Sequence, residues 1–114
     1  MTDLEALVAS KHWRWLPGML VSEARMRVGR ICTTEQAAAM NDPPLGDYVP
    51  DLTDAATLGC LLALVRAALD EGSVTTHAIS NGQWGLRDYR GSLTGLVMYD
   101  TEGDALAAAL LAAP

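Results

Sequence analysis

The run from residue 51 to residue 72 is the feature that most constrains how this chain can fold, because it is almost wholly apolar between acidic ends. Its apolar residues recur at helical spacing and form a stripe wider than that of an ordinary surface helix: Leu58, Cys60, Leu61, Leu62, Leu64, Val65 and Leu69. Thr53 or Asp54 would supply the capping oxygen, and Gly72 is placed to take the left-handed conformation that ends a helix. A helix with so little polar surface must be covered, so we expect other elements to sandwich it.

Antiparallel strands are predicted on both sides of this helix. Before it, alternation favours strands over residues 19–22 and 25–32, with Met26 and Val28 on an apolar face and arginines on the other. The alternation slips over residues 29–31, where a bulge could form. After it, the dipeptide at 81–82, Asn-Gly, predicts a hairpin between residues 74–80 and 83–89, and a third strand follows over 93–99. A two-residue turn would place His77 opposite Leu86 on the core face.

Helices are predicted at the two ends of the chain and, less regularly, in the middle. Residues 2–10 favour a short opening helix, and Thr33 or Thr34 could cap a helical turn before the Pro-rich loop at 41–47. Thr101, with Asp104 three residues later, predicts the start of an Ala-rich last helix. The order indicates an α+β fold: a single domain over residues 1–114, with an antiparallel sheet of about five strands packed with one long apolar helix and short terminal helices.

Net charge and cysteine usage exclude several classes of protein. A formal charge of −6 argues against direct nucleic-acid binding and against anionic membranes, which attract basic surfaces. The first residues carry acid where a signal peptide carries base, and no apolar run has membrane-spanning length. Cys32 and Cys60 lack metal or redox spacing, and Cys60 is interpreted as a small core residue. We therefore expect reduced thiols and a cytoplasmic protein.

No motif for catalysis, metal binding or cofactor binding is present in the sequence. The two histidines, His12 and His77, are far apart and have no partner at metal-ligand spacing. A cysteine nucleophile needs a nearby base, and none is indicated for Cys32 or Cys60. Phosphate-binding glycine loops are absent. We predict no catalytic, cofactor-binding or metal residue and no enzyme, since catalysis would need a pocket that joins a histidine to Cys32 or to a carboxylate.

Two charged segments remain as candidate binding surfaces. Between Ile31 and Val65 there is no Lys or Arg, and this segment holds the candidate partner-binding acids, with Asp54 beside them: Glu35, Asp42, Asp47 and Asp51. Such a tract could mimic a phosphate backbone and block a protein that binds nucleic acid, or it could be ordinary solubility charge. The candidate basic patch, near two tryptophans and Lys11, consists of Arg14, Arg25, Arg27 and Arg30. The alternative interpretation of these residues is a solvent-exposed strand face, on which the aliphatic parts of the arginine side chains cover the tryptophan rings.

Three segments together resemble a known group of proteins. They are WRWLPGM at 13–19, PDLTD at 50–54 followed by ATLGCLLALVR at 56–66, and YDTE at 99–102 before an Ala-rich helix. This combination is similar to the phage ABA-sandwich group of small phage-encoded and prophage-encoded proteins, in which Ala55 would be proline. The resemblance implies a layered α/β/α-type domain in a phage or prophage setting. It carries over no catalytic residue.

Taken together, these features favour a non-enzymatic phage-type accessory protein that acts by protein–protein binding. Small size, acidity and the phage-type resemblance indicate an inhibitor of a host defence system, of the anti-CRISPR kind, whose partner is a host or defence-system protein. The alternative is a structural or assembly protein that buries its apolar helix or a sheet edge in a homo-oligomer.

Overall fold

The structure, a computed structural model, describes residues 3–24, 26–41, 47–94 and 97–114. Over these residues the chain forms four helices and six strands. The helices are α1 (Asp3–Ala9), α2 (Thr34–Asn41), α3 (Ala55–Leu69) and α4 (Glu102–Ala112). The strands are β1 (Leu20–Glu23), β2 (Met26–Arg30), β3 (Val49–Pro50), β4 (Thr75–Ile79), β5 (Gln83–Asp88) and β6 (Gly91–Ser92).

The strands form two small antiparallel sheets, with the orders β2-β1-β3 and β4-β5-β6. This confirms an α+β fold with antiparallel pairing, but the strands are divided between two three-stranded sheets where one sheet of about five was expected. Strand β3 lies in a segment for which no strand was predicted. It pairs with β1 through Val21 and Ser22 and completes the first sheet before α3 begins.

Helix α3 begins at one of the two predicted caps and ends earlier than predicted. The side chain of Asp54 accepts a hydrogen bond from the backbone N–H of Thr57, which makes Asp54 the N-cap. At the other end Asp70, and not Gly72, takes the left-handed conformation, with φ of 51°. The backbone N–H groups of Asp70 and Glu71 then satisfy carbonyls of the last turn. Aspartate is tolerated there because its short polar side chain lowers the cost of positive φ.

The prediction that α3 is sandwiched is wrong for one of its faces. Leu61, Leu64 and Val65 are buried, but a stripe of small residues faces solvent: Ala56, Gly59, Ala63 and Ala67. Alanine and glycine expose little apolar area, so leaving them in water costs little free energy. The helix is therefore covered where its side chains are large and open where they are small.

Cys60 lies between these two faces. It is half-buried, and not the core residue expected from its position in the apolar run. Its Sγ atom lies 3.4 Å from the carbonyl oxygen of Pro17. Burial raises the pKa of this thiol, which disfavours the reactive thiolate.

The second hairpin has a register one residue away from the predicted one. His77 pairs with Gly85, and Leu86 pairs with Thr76. The cause is the turn: Ser80–Gly82 forms a three-residue 3-10 turn, with Asn81 at φ of 72°. Since successive side chains of a strand point to opposite faces, the shift places His77 and Leu86 on opposite faces of the sheet.

The third strand of this sheet lies earlier in the chain than the predicted range 93–99. Gly91–Ser92 forms strand β6 against the end of β5. Beyond it, Tyr99 forms an isolated bridge with Trp84, with backbone hydrogen bonds of 2.7 and 2.9 Å. Part of the predicted strand over 93–99, residues 95 and 96, lies outside the described residues.

In the first hairpin the bulge lies closer to the turn than predicted. Val21 pairs with Gly29 and Ser22 with Arg27, which leaves Val28 as the extra residue. Strand β2 is an edge strand of its sheet and is exposed along its whole length. Met26 and Val28, the predicted apolar face, are 73% and 56% exposed.

The core lies between α3, α4 and the two sheets. Its fully buried side chains include Leu7, Met19, Leu61, Leu86, Leu106 and Leu110. Helix α4 packs against α3, β5 and α1, and Thr101 caps it as predicted by accepting the N–H of Asp104 at 3.0 Å. Helix α2 starts with a capping box, in which Thr33 and Gln36 exchange hydrogen bonds between side chain and backbone.

Candidate protein-binding site

The basic and acidic candidate surfaces meet at the start of α3, where they pair with each other. The Nε atom of Arg27 lies 3.0 Å from Oδ2 of Asp51. The other carboxylate oxygen of Asp51 accepts hydrogen bonds from the backbone N–H and the hydroxyl of Thr53. The hydrogen bonds from Thr53, and the ion pair with Arg27, hold the pKa of Asp51 below its usual range. Asp51 is therefore anionic at neutral pH but already has one cationic partner.

A second pair involves Asp54, three residues after Asp51, and has more hydrogen bonds to the rest of the fold. Arg30 donates two hydrogen bonds to Asp54, of 2.8 and 2.9 Å, and a third to the carbonyl oxygen of Gly18. Asp54 also accepts from the N–H and hydroxyl of the fully buried Thr57. Arg30 above all, with Thr57, holds the pKa of Asp54 far below its usual range. This pair stabilises the start of α3 and leaves neither charge free.

The remaining candidate residues do not join these pairs. Glu35 lies in the first turn of α2, and Asp47 lies just before β3; both are exposed. Arg14 lies in the segment between α1 and β1 and lines a different concavity from Arg30. Two of the candidates, Arg25 and Asp42, lie outside the described residues. The described members thus form neither one continuous acidic tract nor one continuous basic patch.

The two tryptophans near Arg14 pack against each other. The rings of Trp13 and Trp15 stack edge to face with centroids 5.2 Å apart, and Trp15 is 2% exposed. The cation–π contact of the described residues joins Arg90 to Tyr89 instead. A basic surface flanked by open tryptophan rings is therefore not formed by the described part of the chain.

The histidines and cysteines lie apart from one another. The Nε2 atom of His12 lies 2.8 Å from the carbonyl oxygen of Pro114, and the half-buried His77 has no partner at Nδ1. Cys32 is exposed, and its Sγ lies 3.5 Å from the carbonyl oxygen of Arg30. Over the described ranges, no three His, Cys, Asp or Glu side chains come close enough together to hold a metal ion.

A concave surface of about 670 Å³, which we call the acidic trough, lies between the segment before α3 and the first turn of α4. Its floor is apolar: Leu4, Val49, Pro50, Leu52 and Leu58. Three carboxylates stand along it: Asp51, Glu102 and Asp104. Gly103 brings α4 against its wall, because a Cβ atom there would come within 2.8 Å of Cβ of Leu52.

The carboxylates of the trough differ in how far they are already engaged. Asp51 has Arg27, and Glu102 accepts a hydrogen bond of 2.7 Å from the hydroxyl of Thr76. Asp104 is exposed and forms no ion pair among the described residues. The N-terminus of a helix carries about half a positive charge, which two full carboxylates in its first turn exceed. The α4 end of the trough is therefore net negative.

The trough continues along α4. A second concavity of about 380 Å³ shares Leu4, Leu52 and Asp104 with it and extends to Tyr99 and Leu111. Leu111 is 43% exposed, so this part of the channel presents apolar surface to solvent. Of the described residues that line the two concavities, none is Lys, Arg or His. The result is an apolar channel with acid at one end.

Sequence reasoning identified Asp51 as a binding candidate but treated Glu102 and Asp104 only as residues of a helix start. One signal in the sequence indicated that the start of α4 packs closely against another segment. Gly103 lies in the first turn of an Ala-rich helix, where alanine would be favoured unless another segment packs against the backbone.

No helix of the described residues is long and apolar enough to span a membrane. Comparisons of the chain with protein-family models, with curated proteins and with solved structures each found no match. The resemblance to the phage ABA-sandwich group therefore stays a prediction.

Proposed function

We propose that this chain is a non-enzymatic accessory protein of phage type that acts in the host cytoplasm by binding another protein, as an inhibitor of a host defence system. The observation that supports this most is the acidic trough, where free carboxylate charge borders exposed apolar surface. Concave apolar surface with a few polar groups at its edge is typical of binding sites.

The chemistry of the trough selects the kind of partner. Carboxylates without a lysine or arginine of their own attract basic protein surfaces, and proteins that handle nucleic acid present such surfaces. A defence protein that binds DNA or RNA is then a suitable target, because the trough would occupy residues that otherwise contact phosphate. The carboxylates concerned are Asp104 and Glu102, which form no ion pair among the described residues. Asp51 would become a third once its ion pair with Arg27 is broken.

The proposal is tested by expressing the chain in bacteria that carry defined CRISPR–Cas systems and measuring the plaquing efficiency of a targeted phage. Restored plaquing is expected with at least one system, and Asp104→Lys should reduce it. Glu35→Lys is the matched control, since it makes the same charge change on α2, away from the trough. Unchanged immunity with every system tested would contradict the inhibitor function.

A second candidate function, self-assembly, is favoured by a different observation. Met26 and Val28 are exposed on the edge strand β2, and an edge strand with exposed apolar side chains is a template for pairing with another chain. Light scattering on the purified protein over a range of concentrations tests this function. Oligomers that Val28→Lys dissolves would favour the assembly role over the inhibitor role.

A further inference from the structure

We infer that the acidic trough and its continuation along α4 hold a basic, amphipathic peptide segment of the partner, with its cationic residues at the Asp104 end and its apolar residues towards Leu111. This inference rests on the proposed function, because it names the part of the partner that is bound. It follows from the order of charged and apolar groups along the channel.

The length of the channel sets the length of the segment. From Glu102 to Leu111 the axis of α4 advances by about 14 Å, at 1.5 Å per residue. A helical segment would cover this distance with about nine residues and an extended one with about four. A short linear stretch of the partner is therefore sufficient.

Charge complementarity determines the orientation of the segment. Asp104 and Glu102 stand at one end, whereas Leu111 and the alanines near it line the other. A lysine or arginine can place its charged group on the carboxylates and its aliphatic stem on Leu52 and Leu4. The reverse orientation would place the cation beside Leu111 and the alanines, where no carboxylate pairs with it, and apolar side chains against Asp104 and Glu102.

Arg27 of the chain itself would compete with the bound segment for Asp51, which lines the trough on the side opposite α4. Its side chain is 68% exposed while that of Asp51 is 14% exposed, so the pair is held at the surface and can exchange. A cationic residue of the bound segment would take the place of Arg27 on Asp51. The hydrogen bonds from Thr53 keep Asp51 anionic even when Arg27 has left.

The test is fluorescence anisotropy with a labelled nonapeptide that has two lysines at one end and, over the rest, leucines at helical spacing with alanines between them. We expect saturable binding to the wild-type chain and none for a control peptide with glutamates in place of the lysines. Asp104→Lys should weaken binding by roughly tenfold, because a neutralising contact becomes a repulsive one. Glu35→Lys should leave the affinity unchanged.

Arg27→Gln gives a readout that damage to the fold cannot imitate. Removing the competitor should strengthen binding by about twofold to fivefold, the range that an exposed ion pair of modest strength corresponds to. Unfolding of each variant is followed by circular dichroism, and Asp104→Asn replaces Asp104→Lys if the lysine variant does not fold.

Three results would overturn the inference. The first is absence of binding by the lysine peptide, and the second is an equal loss of peptide affinity in Asp104→Lys and Glu35→Lys. The third is a dimer of the wild-type chain that Asp104→Lys dissociates, because a second copy of the chain would then occupy the trough. Failure of this inference is distinguishable from failure of the proposed function. Phage plaquing that the chain restores, and that Asp104→Lys leaves restored, would refute the trough as the docking site and leave the inhibitor function standing.

Discussion

The guanidinium group of Arg30 and the carboxylate of Asp54 form two parallel hydrogen bonds, of 2.8 and 2.9 Å, between the edge strand β2 and the start of α3. This fork geometry fixes the distance and the angle between the two elements. Because Asp54 is also the N-cap of α3, one carboxylate joins the first sheet to the longest helix. The residues predicted from sequence to form opposing charged surfaces here form part of the framework.

Replacing Asp54 by alanine should lower the free energy of unfolding by about 1 to 2 kcal/mol, the upper part of the range for losing an N-cap. The helix start loses the acceptor for the N–H of Thr57, and Arg30 loses its partner. Urea denaturation followed by circular dichroism measures the change. Glu35→Ala, in the first turn of α2, is the control, and an equal loss there would contradict the special role of Asp54.

Thr57→Val should destabilise the protein although valine has nearly the shape of threonine. The Oγ1 atom of Thr57 accepts the backbone N–H of Leu20 at 2.8 Å, and both residues are buried. An unsatisfied buried N–H costs about 1 to 3 kcal/mol. Thr57→Ser keeps the hydroxyl and is the matched variant. Hydrogen exchange of the Leu20 amide should accelerate in the valine variant and stay slow in the serine variant; equal rates in both would show that the hydroxyl is dispensable.

Two helical glycines should respond in opposite directions to alanine. At Gly103 the added Cβ would meet Cβ and the carbonyl oxygen of Leu52 at 2.8 and 2.9 Å, so Gly103→Ala should cost about 1 to 3 kcal/mol of stability. At Gly59 nothing lies within 4 Å of the added atom, so Gly59→Ala should stabilise by about 0.5 to 1 kcal/mol. Thermal unfolding of the two variants measures both effects. Stabilisation by Gly103→Ala would mean that α4 does not approach Leu52 this closely.

Stability should fall in acid because of the two aspartates at the start of α3. The pKa values of Asp51 and Asp54 are lower in the folded chain than the ordinary value of 3.8. Their contribution is therefore fully present above about pH 5, and it is lost as the pH falls below about 4 towards the folded-state pKa values. Urea denaturation over this pH range should show a declining free energy of unfolding.

The same titration identifies the group responsible. Asp54→Asn should be less stable than the wild type at neutral pH, and the two curves should converge in acid, where the wild-type carboxylate becomes neutral as well. A difference in stability that stays constant from neutral to acid pH would assign the acid sensitivity to other groups.

Local signals in the sequence predicted the helix starts well. Asp54 and Thr101 cap α3 and α4 as expected, because an N-cap depends on residues within one turn of it. The hairpin register was predicted wrongly for a related reason. Asn81 and Gly82 both take positive φ, as a two-residue turn would require, but Ser80 joins the turn and shifts every pair by one.

The candidate site depended on contacts that local signals do not encode. Asp51 and Asp104 come from segments far apart in the chain, and they share a trough because α4 packs against Leu52 through Gly103. The pairing of Arg27 with Asp51 likewise needs β2 to lie beside the start of α3. The sequence therefore predicted more unpaired carboxylate charge at the start of α3 than the structure has, because Asp51 and Asp54 are paired with arginines. It did not indicate the unpaired carboxylates at the start of α4, Glu102 and Asp104.

The hydrogen bond from the Leu20 N–H to Thr57 also bears on how the molecule opens. A backbone donor of β1 is satisfied by a helix side chain, so the first sheet cannot separate from α3 without breaking this buried hydrogen bond. The two elements should therefore unfold as a single cooperative unit, with matching exchange free energies for their slowest amides. Local opening of the fold would then begin in other elements, away from this contact between the sheet and the helix.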